Sequence, residues 1–173
     1  RRWDSRLVQD LGITAGSALS GLDEPLLLAP RSTAAVMPLT CSRALSSELT
    51  GALTLQARRH GLTLNTMVQA VWAILLGRRA SRTDIIFGIT VAGRPPELPG
   101  IERMVGLLIN TVPLRVRLRP DERVVDLLAR LQEQQSALMA HQHLGLAAIQ
   151  RLAGLRSAVD VVAKQHQLGV GPG

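Results

Sequence analysis

The run TDIIFGITVAG, residues 83–93, restricts the fold more than any other stretch of the chain. It is apolar almost throughout and is bounded by Gly and Pro. A continuous apolar run of this length is the mark of a strand covered on both faces, because neither face carries the polar residues that water would favour. Whatever this chain becomes, it must place other layers against both sides of that strand.

The segments around it supply them. SSELTGALTLQARRHG opens as a helix with Ser46 as N-cap and Glu48 in the first turn. Leu45, Leu49, Ala52 and Leu53 lie on one face and Gly61 is the stop. LNTMVQAVWAILLGRRA predicts a second helix capped by Thr63 or Asn65, apolar nearly all round from Met67 to Leu76 and so expected between layers. The stretch from Pro120 to Gln142 keeps a period near 3.6 through Val124, Leu127, Leu128, Leu131, Leu138 and Met139 and predicts a third, starting at Pro120 or Asp121. Weak alternation over 36–45 predicts a strand, and short helices are expected at 101–105 and 146–153. Strands alternating with helices make this an α/β chain, with helices packed on a sheet.

MVGLLINTVPLRVRL, residues 104–118, reads almost entirely as a further strand. Leu114, Val116 and Leu118 are expected inward, and Arg115, Arg117 and Arg119 outward. Two residues interrupt it. Pro113 cannot donate to a ladder, and Asn110 brings an amide that needs partners on its carbonyl and its NH₂ if buried. Asn110 either pins a neighbouring backbone or points into a cavity that binds amide-like groups; Thr111 faces the other way and is expected to be structural. Gly93, Arg94 and Pro95 follow the end of the first strand, where irregular backbone usually lines a site.

Charge and composition exclude several classes. The net charge is +7, but the arginines come in scattered pairs and aromatic residues are only 2% of the chain, so base-stacking nucleic-acid binding is not expected. A basic face toward an acidic carrier or a phosphate-bearing arm fits better. Cys41 is alone, which excludes an internal disulfide and a cysteine metal site. His141 and His143 lack a third ligand at metal spacing, and His60 sits at a helix end where the dipole favours it. No apolar run reaches the roughly 18–20 residues of a membrane span. The expectation is a cytoplasmic protein. The start without Met and the ending Gly-Val-Gly-Pro-Gly are expected of a piece of something longer. No G-x-S-x-G elbow or phosphate-binding glycine loop occurs, and no complete catalytic set is visible.

FGITVAGRPPELPGIERMVGLLINTVPLRVRL resembles the C-terminal lobe of condensation domains from nonribosomal peptide synthetases. The resemblance runs from about Ser32 to Gly154. It takes in LTLNTMVQAVWAILLGRRASRTDIIFG before the glycine-arginine-proline turn, and AHQHLGLAAIQRLAG, which matches the family's His-Gln motif at His141 and Gln142. Trp3 resembles the remnant of a Tyr-Trp pair near the start of that lobe. The resemblance implies a chloramphenicol acetyltransferase-like half-domain, with helices packed on a mixed β-sheet and facing a second lobe across a tunnel. It also implies amide-bond formation between two thioesters carried on the phosphopantetheine of carrier proteins, with no cofactor bound directly. Asn110, Gly93, Arg94 and Gln142 become candidates for the tunnel wall, and Gly106, Thr111, Pro113 and His141 motif residues of structural role. Pro113 would end ladder pairing on one side, as suits an edge strand or one bridging toward the other lobe.

The family's HHxxxDG motif does not occur in the sequence, and His141-Gln142-His143 does not replace it. No catalytic residue is therefore expected here, and the partner implied is an N-terminal lobe that carries the motif, in cis or in trans. The expected organisation is an irregular lead-in with a short helix over 1–31, the lobe over 32–154, and an atypical tail over 155–173 without the family's aromatic segments. A stand-alone acyltransferase of the same fold, and a non-catalytic remnant or docking module, are the other readings.

Overall fold

A computed structural model describes residues 42–92, 99–106, 109–139 and 162–163. Helix α1 spans Ser47–Arg59 and α2 Leu64–Ala80; strand β1 spans Asp84–Val91; a 3-10 turn covers Ile101–Arg103; β2 spans Asn110–Arg117, α3 Val124–Met139 and β3 Val162–Ala163.

Local chemistry sets the helix ends. Ser46 accepts the Leu49 N–H at 3.2 Å, Glu48 sits in the first turn of α1 and Arg58 and Arg59 in its last, as the helix dipole favours. Gly61 takes a φ of 64° just past the helix, where a side chain would strain the backbone. Thr63 caps α2 by accepting the Thr66 N–H at 3.1 Å. At the other end Ser81 enters the left-handed region, and the Arg82 N–H reaches back to the Gly77 carbonyl at 3.0 Å. Helix α3 begins at Val124, four residues after Pro120, because residues 120 and 121 form a turn.

The sheet is mixed, in the order β2-β1-β3, with β2 antiparallel and β3 parallel to β1. The expected α/β fold with helices on a mixed sheet is what forms, and β1 is central, as its apolar run requires. Opposite residues of an antiparallel pair share a face. Ile85, Phe87, Ile89 and Val91 therefore lie with Val116, Leu114, Val112 and Asn110, while Asp84, Ile86, Gly88 and Thr90 lie with Arg117, Arg115, Pro113 and Thr111. The first set meets the helices: a Cβ on Gly77 of α2 would stand 3.6 Å from Ile85 Cγ1. Phe87, Ile85, Leu114, Val116, Leu76 and Leu131 close the core. Each such side chain contributes about 1.5–3 kcal/mol by leaving water.

Several expectations change. Helix α2 is not enclosed: Val68, Val71 and Leu75 form an exposed stripe, opposite the buried Ala70, Ala73 and Leu76. Leu45 before α1, and Leu49 and Ala52 on it, are exposed, and burial falls on Ala57 instead. Periodicity identifies an apolar face, but not what covers it. Residues 42–45 are not strand, and the rest of 36–45 lies outside the described residues. The second strand starts at Asn110, since Met104 donates its N–H to the Ile101 carbonyl and closes the 3-10 turn. The atypical tail contributes to the sheet, since Val162 and Ala163 pair with Gly88 and Ile89. The expected helix at 146–153 lies outside the described residues.

Candidate functional site

Of the residues singled out from sequence, Asn110 and Thr111 lie at one end of the sheet, where β1 finishes and β2 begins. Register pairs Thr90 with Thr111 and Val91 with Asn110. Asn110 is half-buried, and its Oδ1 accepts the Thr111 N–H at 2.8 Å. The side chain thus supports the backbone at the first step of the strand, while Val112 beside it on the same face is buried. Thr111 stands on the opposite face, across from Thr90. Sequence reasoning did not single out Thr90, although a hydroxyl near the end of an otherwise apolar run was the available signal.

Pro113 is buried and lies opposite Gly88. The described sheet places β2 at an edge, a position that tolerates a missing N–H. Gly106 is exposed, and a Cβ there would meet nothing within 4 Å, so no close approach demands glycine at that point. Met104, Val105 and Ile109 beside it present apolar side chains to solvent. Gly93, Arg94, His141 and Gln142 lie outside the described residues.

Among the described residues, the polar side chains at this end of the sheet are not titratable. Thr90, Asn110 and Thr111 supply hydroxyls and a carboxamide, which can hold amides and carbonyls in place but cannot shuttle protons near neutral pH. Among the described residues no group of three or more His, Cys, Asp or Glu side chains could hold a metal ion.

The strong charges sit at the far end of the same strands. Arg115 is on the outward face as expected, but there it grips Asp84 through two hydrogen bonds, at 2.8 Å from Nε and 2.6 Å from Nη2, with its side chain only 8% exposed. That bond, opposed by partial burial, holds the Asp84 carboxyl below the usual carboxylate range; Arg117, 3.6 Å away, adds to the effect. Arg130 holds Glu122 in the same bidentate way, at 2.9 and 2.7 Å, and donates to the Arg117 carbonyl at 2.8 Å. Register explains the first pair: β1 begins where β2 ends, so Asp84 faces Arg117 and its neighbour Arg115. These are clamps on the sheet and on α3.

Known proteins share much of this sequence. The chain is 47% identical over 105 residues to a subunit of linear gramicidin synthase from Brevibacillus parabrevis, a match over 61% of this chain and 2% of that protein. It is 35% identical over 148 residues to bacitracin synthase 3 of Bacillus licheniformis, over 82% of this chain and again 2% of the relative. The chain thus spans a small fraction of these relatives. Among solved structures, the first condensation domain of the calcium-dependent antibiotic synthetase, in complex with a substrate analogue, matches with a TM-score of 0.75. The alignment covers 91% of this chain and 34% of that one, at 23% identity, and establishes a shared fold. The Condensation domain family model matches residues 25–163, and with the sheet, the helices and these relatives in agreement, the chain belongs to the condensation domain family.

Proposed function

We propose that this chain forms the C-terminal wall of a condensation tunnel in a nonribosomal peptide synthetase. Across that tunnel an aminoacyl or peptidyl thioester is joined to a downstream aminoacyl thioester with formation of an amide bond. The observation that carries the reading is the polar end of the sheet: Asn110 on one face, and Thr90 with Thr111 on the other, with no acid or base among the three. Such a set suits a wall that orients amides and leaves proton transfer to another lobe. The missing HHxxxDG motif agrees, and the chain alone is inactive on this reading.

The N-terminal lobe carrying that motif is then the obligatory partner. Carrier proteins deliver both substrates on phosphopantetheine, and nothing is bound as a resident cofactor. Gly93, Arg94 and Gln142 complete the wall on this reading, with Gly106, Thr111, Pro113 and His141 as its structural motif residues. A cytoplasmic setting follows from such partners; among the described residues no helix is long and apolar enough to cross a membrane.

The test mixes the chain with an N-terminal lobe bearing HHxxxDG and measures dipeptidyl transfer between two loaded carrier proteins. Two substitutions separate positioning from packing. Asn110→Asp keeps an oxygen for the Thr111 N–H but loses the NH₂ donors, whereas Asn110→Ala loses both. Both variants are expected to lower transfer by about tenfold, the rate equivalent of roughly 1.4 kcal/mol, with Asp retaining the parent melting temperature. Transfer that appears but is untouched by Asn110→Asp removes Asn110 from the wall. Lobes that neither associate nor transfer leave a fold without the activity, and the reading fails.

A further inference from the structure

Hydrogen bonding along β2 decides which of its backbone groups serve the sheet and which face outward. Leu118, one step beyond the register pair Asp84–Arg117, donates its N–H to the Thr83 carbonyl at 2.7 Å. In an antiparallel pair such groups alternate. Residues 110, 112, 114 and 116 therefore also turn theirs toward β1, and residues 111, 113, 115 and 117 turn theirs away. Among the described strands, β2 has β1 on one side and none on the other. A row of outward N–H and carbonyl groups is a template on which a further strand can pair.

Three steps of this row are stopped, each by different chemistry. At the first, Asn110 Oδ1 accepts the outward Thr111 N–H at 2.8 Å. At the second, Pro113 has no N–H to offer, and its outward position makes that loss harmless to the ladder with β1. At the last, Arg130 of α3 donates from Nη2 to the outward Arg117 carbonyl at 2.8 Å. Glu122 holds that guanidinium by two hydrogen bonds, at 2.9 and 2.7 Å, so the stop is fixed in place. A strand added here would pair at 111, 113, 115 and 117, and only at Arg115 would it meet a residue that none of the stops touches. One such step does not offset the entropy of ordering a strand.

We propose that the outer edge of β2 is a closed edge, which keeps a second copy of this chain from pairing with it strand to strand. Two copies meeting there would lie antiparallel about a two-fold axis, each offering the other the same row. Proline alone would leave most of the row usable; the Asn110 oxygen and the Arg130 fork complete the closure. The device is independent of amide transfer in the tunnel.

The test opens the edge in the full chain. Asn110→Ala releases the Thr111 N–H, Pro113→Thr adds one at 113, and Arg130→Met releases the Arg117 carbonyl. Sedimentation equilibrium measures self-association, and amide exchange at low and high protein concentration shows where it occurs. The triple variant is expected to associate roughly tenfold or more tighter than the parent, with exchange at Thr111, at 113 and at Arg117 slowing as concentration rises. Asn110→Asp in place of Asn110→Ala keeps an oxygen for the Thr111 N–H and is expected to reverse part of the gain. Melts by circular dichroism check the fold; Arg130→Met alone, which leaves the strand's own sequence intact, is expected to show a smaller gain of the same kind if the triple variant does not fold. Opened variants that fold but associate no more tightly than the parent overturn the proposal. So does association that leaves those amides exchanging as before, or a parent chain that already pairs through them.

Discussion

Gly77 is where the packing of α2 on the sheet can be tested most sharply. In an exposed helix, replacing Gly by Ala stabilises by about 1 kcal/mol, because alanine restricts the unfolded chain. Here the added Cβ would lie 2.6 Å from Leu118 Cδ1 and 2.9 Å from the Arg82 carbonyl oxygen. Both are closer than a carbon atom can come without something moving. The Leu118 methyl is the end of a flexible side chain and can swing. The Arg82 carbonyl cannot follow easily: the Arg82 N–H is tied to Gly77 at 3.0 Å, and Thr83 accepts from Leu118 at 2.7 Å. Gly77→Ala must therefore lift the end of α2 from β1 or distort that turn, and overpacking of this kind costs about 1–3 kcal/mol.

The propensity gain offsets part of that cost, so Gly77→Ala is expected to lose about 1 kcal/mol net. Urea melts followed by circular dichroism give the number, with an unchanged slope against urea as the check that only stability moved. Leu118→Ala in the Gly77→Ala background separates the two clashes. If the carbonyl bears the cost, the two losses add; if the methyl bears it, the double variant regains stability over their sum. A Gly77→Ala protein at least as stable as the parent refutes the close approach of α2 to this turn.

Two further outcomes follow from the side-chain bonds. Asp84 has its carboxyl lowered in the fold, first by the Arg115 hydrogen bond, so its contribution is complete above the unfolded value of 3.8 and fades as pH falls through the lower folded value. Asp84→Asn should therefore flatten the stability-against-pH curve below about pH 4 while costing stability above it, and parallel curves would count against the clamp. Gln132 on α3 accepts from the Thr63 N–H at 3.3 Å and from the Thr66 hydroxyl, tying α3 to the first turn of α2. Gln132→Ala is expected to cost about 1–2 kcal/mol and to speed amide exchange at the start of α2; exchange confined to α3 would place the tie elsewhere.

How far the sequence carried this fold depends on what each element asks of its neighbours. β1 was legible because its demand is extreme: Ile85, Ile86, Phe87 and Ile89 are at most 4% exposed, and only a central strand meets that. The caps at Ser46 and Thr63 were legible because they are satisfied within three residues. The exposed stripe of Val68, Val71 and Leu75 was not, because a side chain's own character does not tell which layer reaches it. The two residues of β3 were not legible either, since a pairing that short uses backbone groups and leaves no period to read.

Asn110 shows how a small error of position changes a physical argument. Inside a strand running from 104 to 118, its amide would be costly and would call for a distant partner. Placed as the first residue of β2, it is half-buried, and its oxygen meets the nearest N–H, that of Thr111. The apolar residues 104–109 resemble strand in composition, but the 3-10 turn at Ile101–Arg103 takes up the Met104 N–H and delays the ladder. On the proposed reading, what marks the residue for function is therefore not a penalty overcome but its place. It stands where β1 finishes and β2 begins, with Thr90 and Thr111 on the opposite face and no charged group among the three. Function there comes, on that reading, from orientation, and the proton transfer is left to the partner lobe.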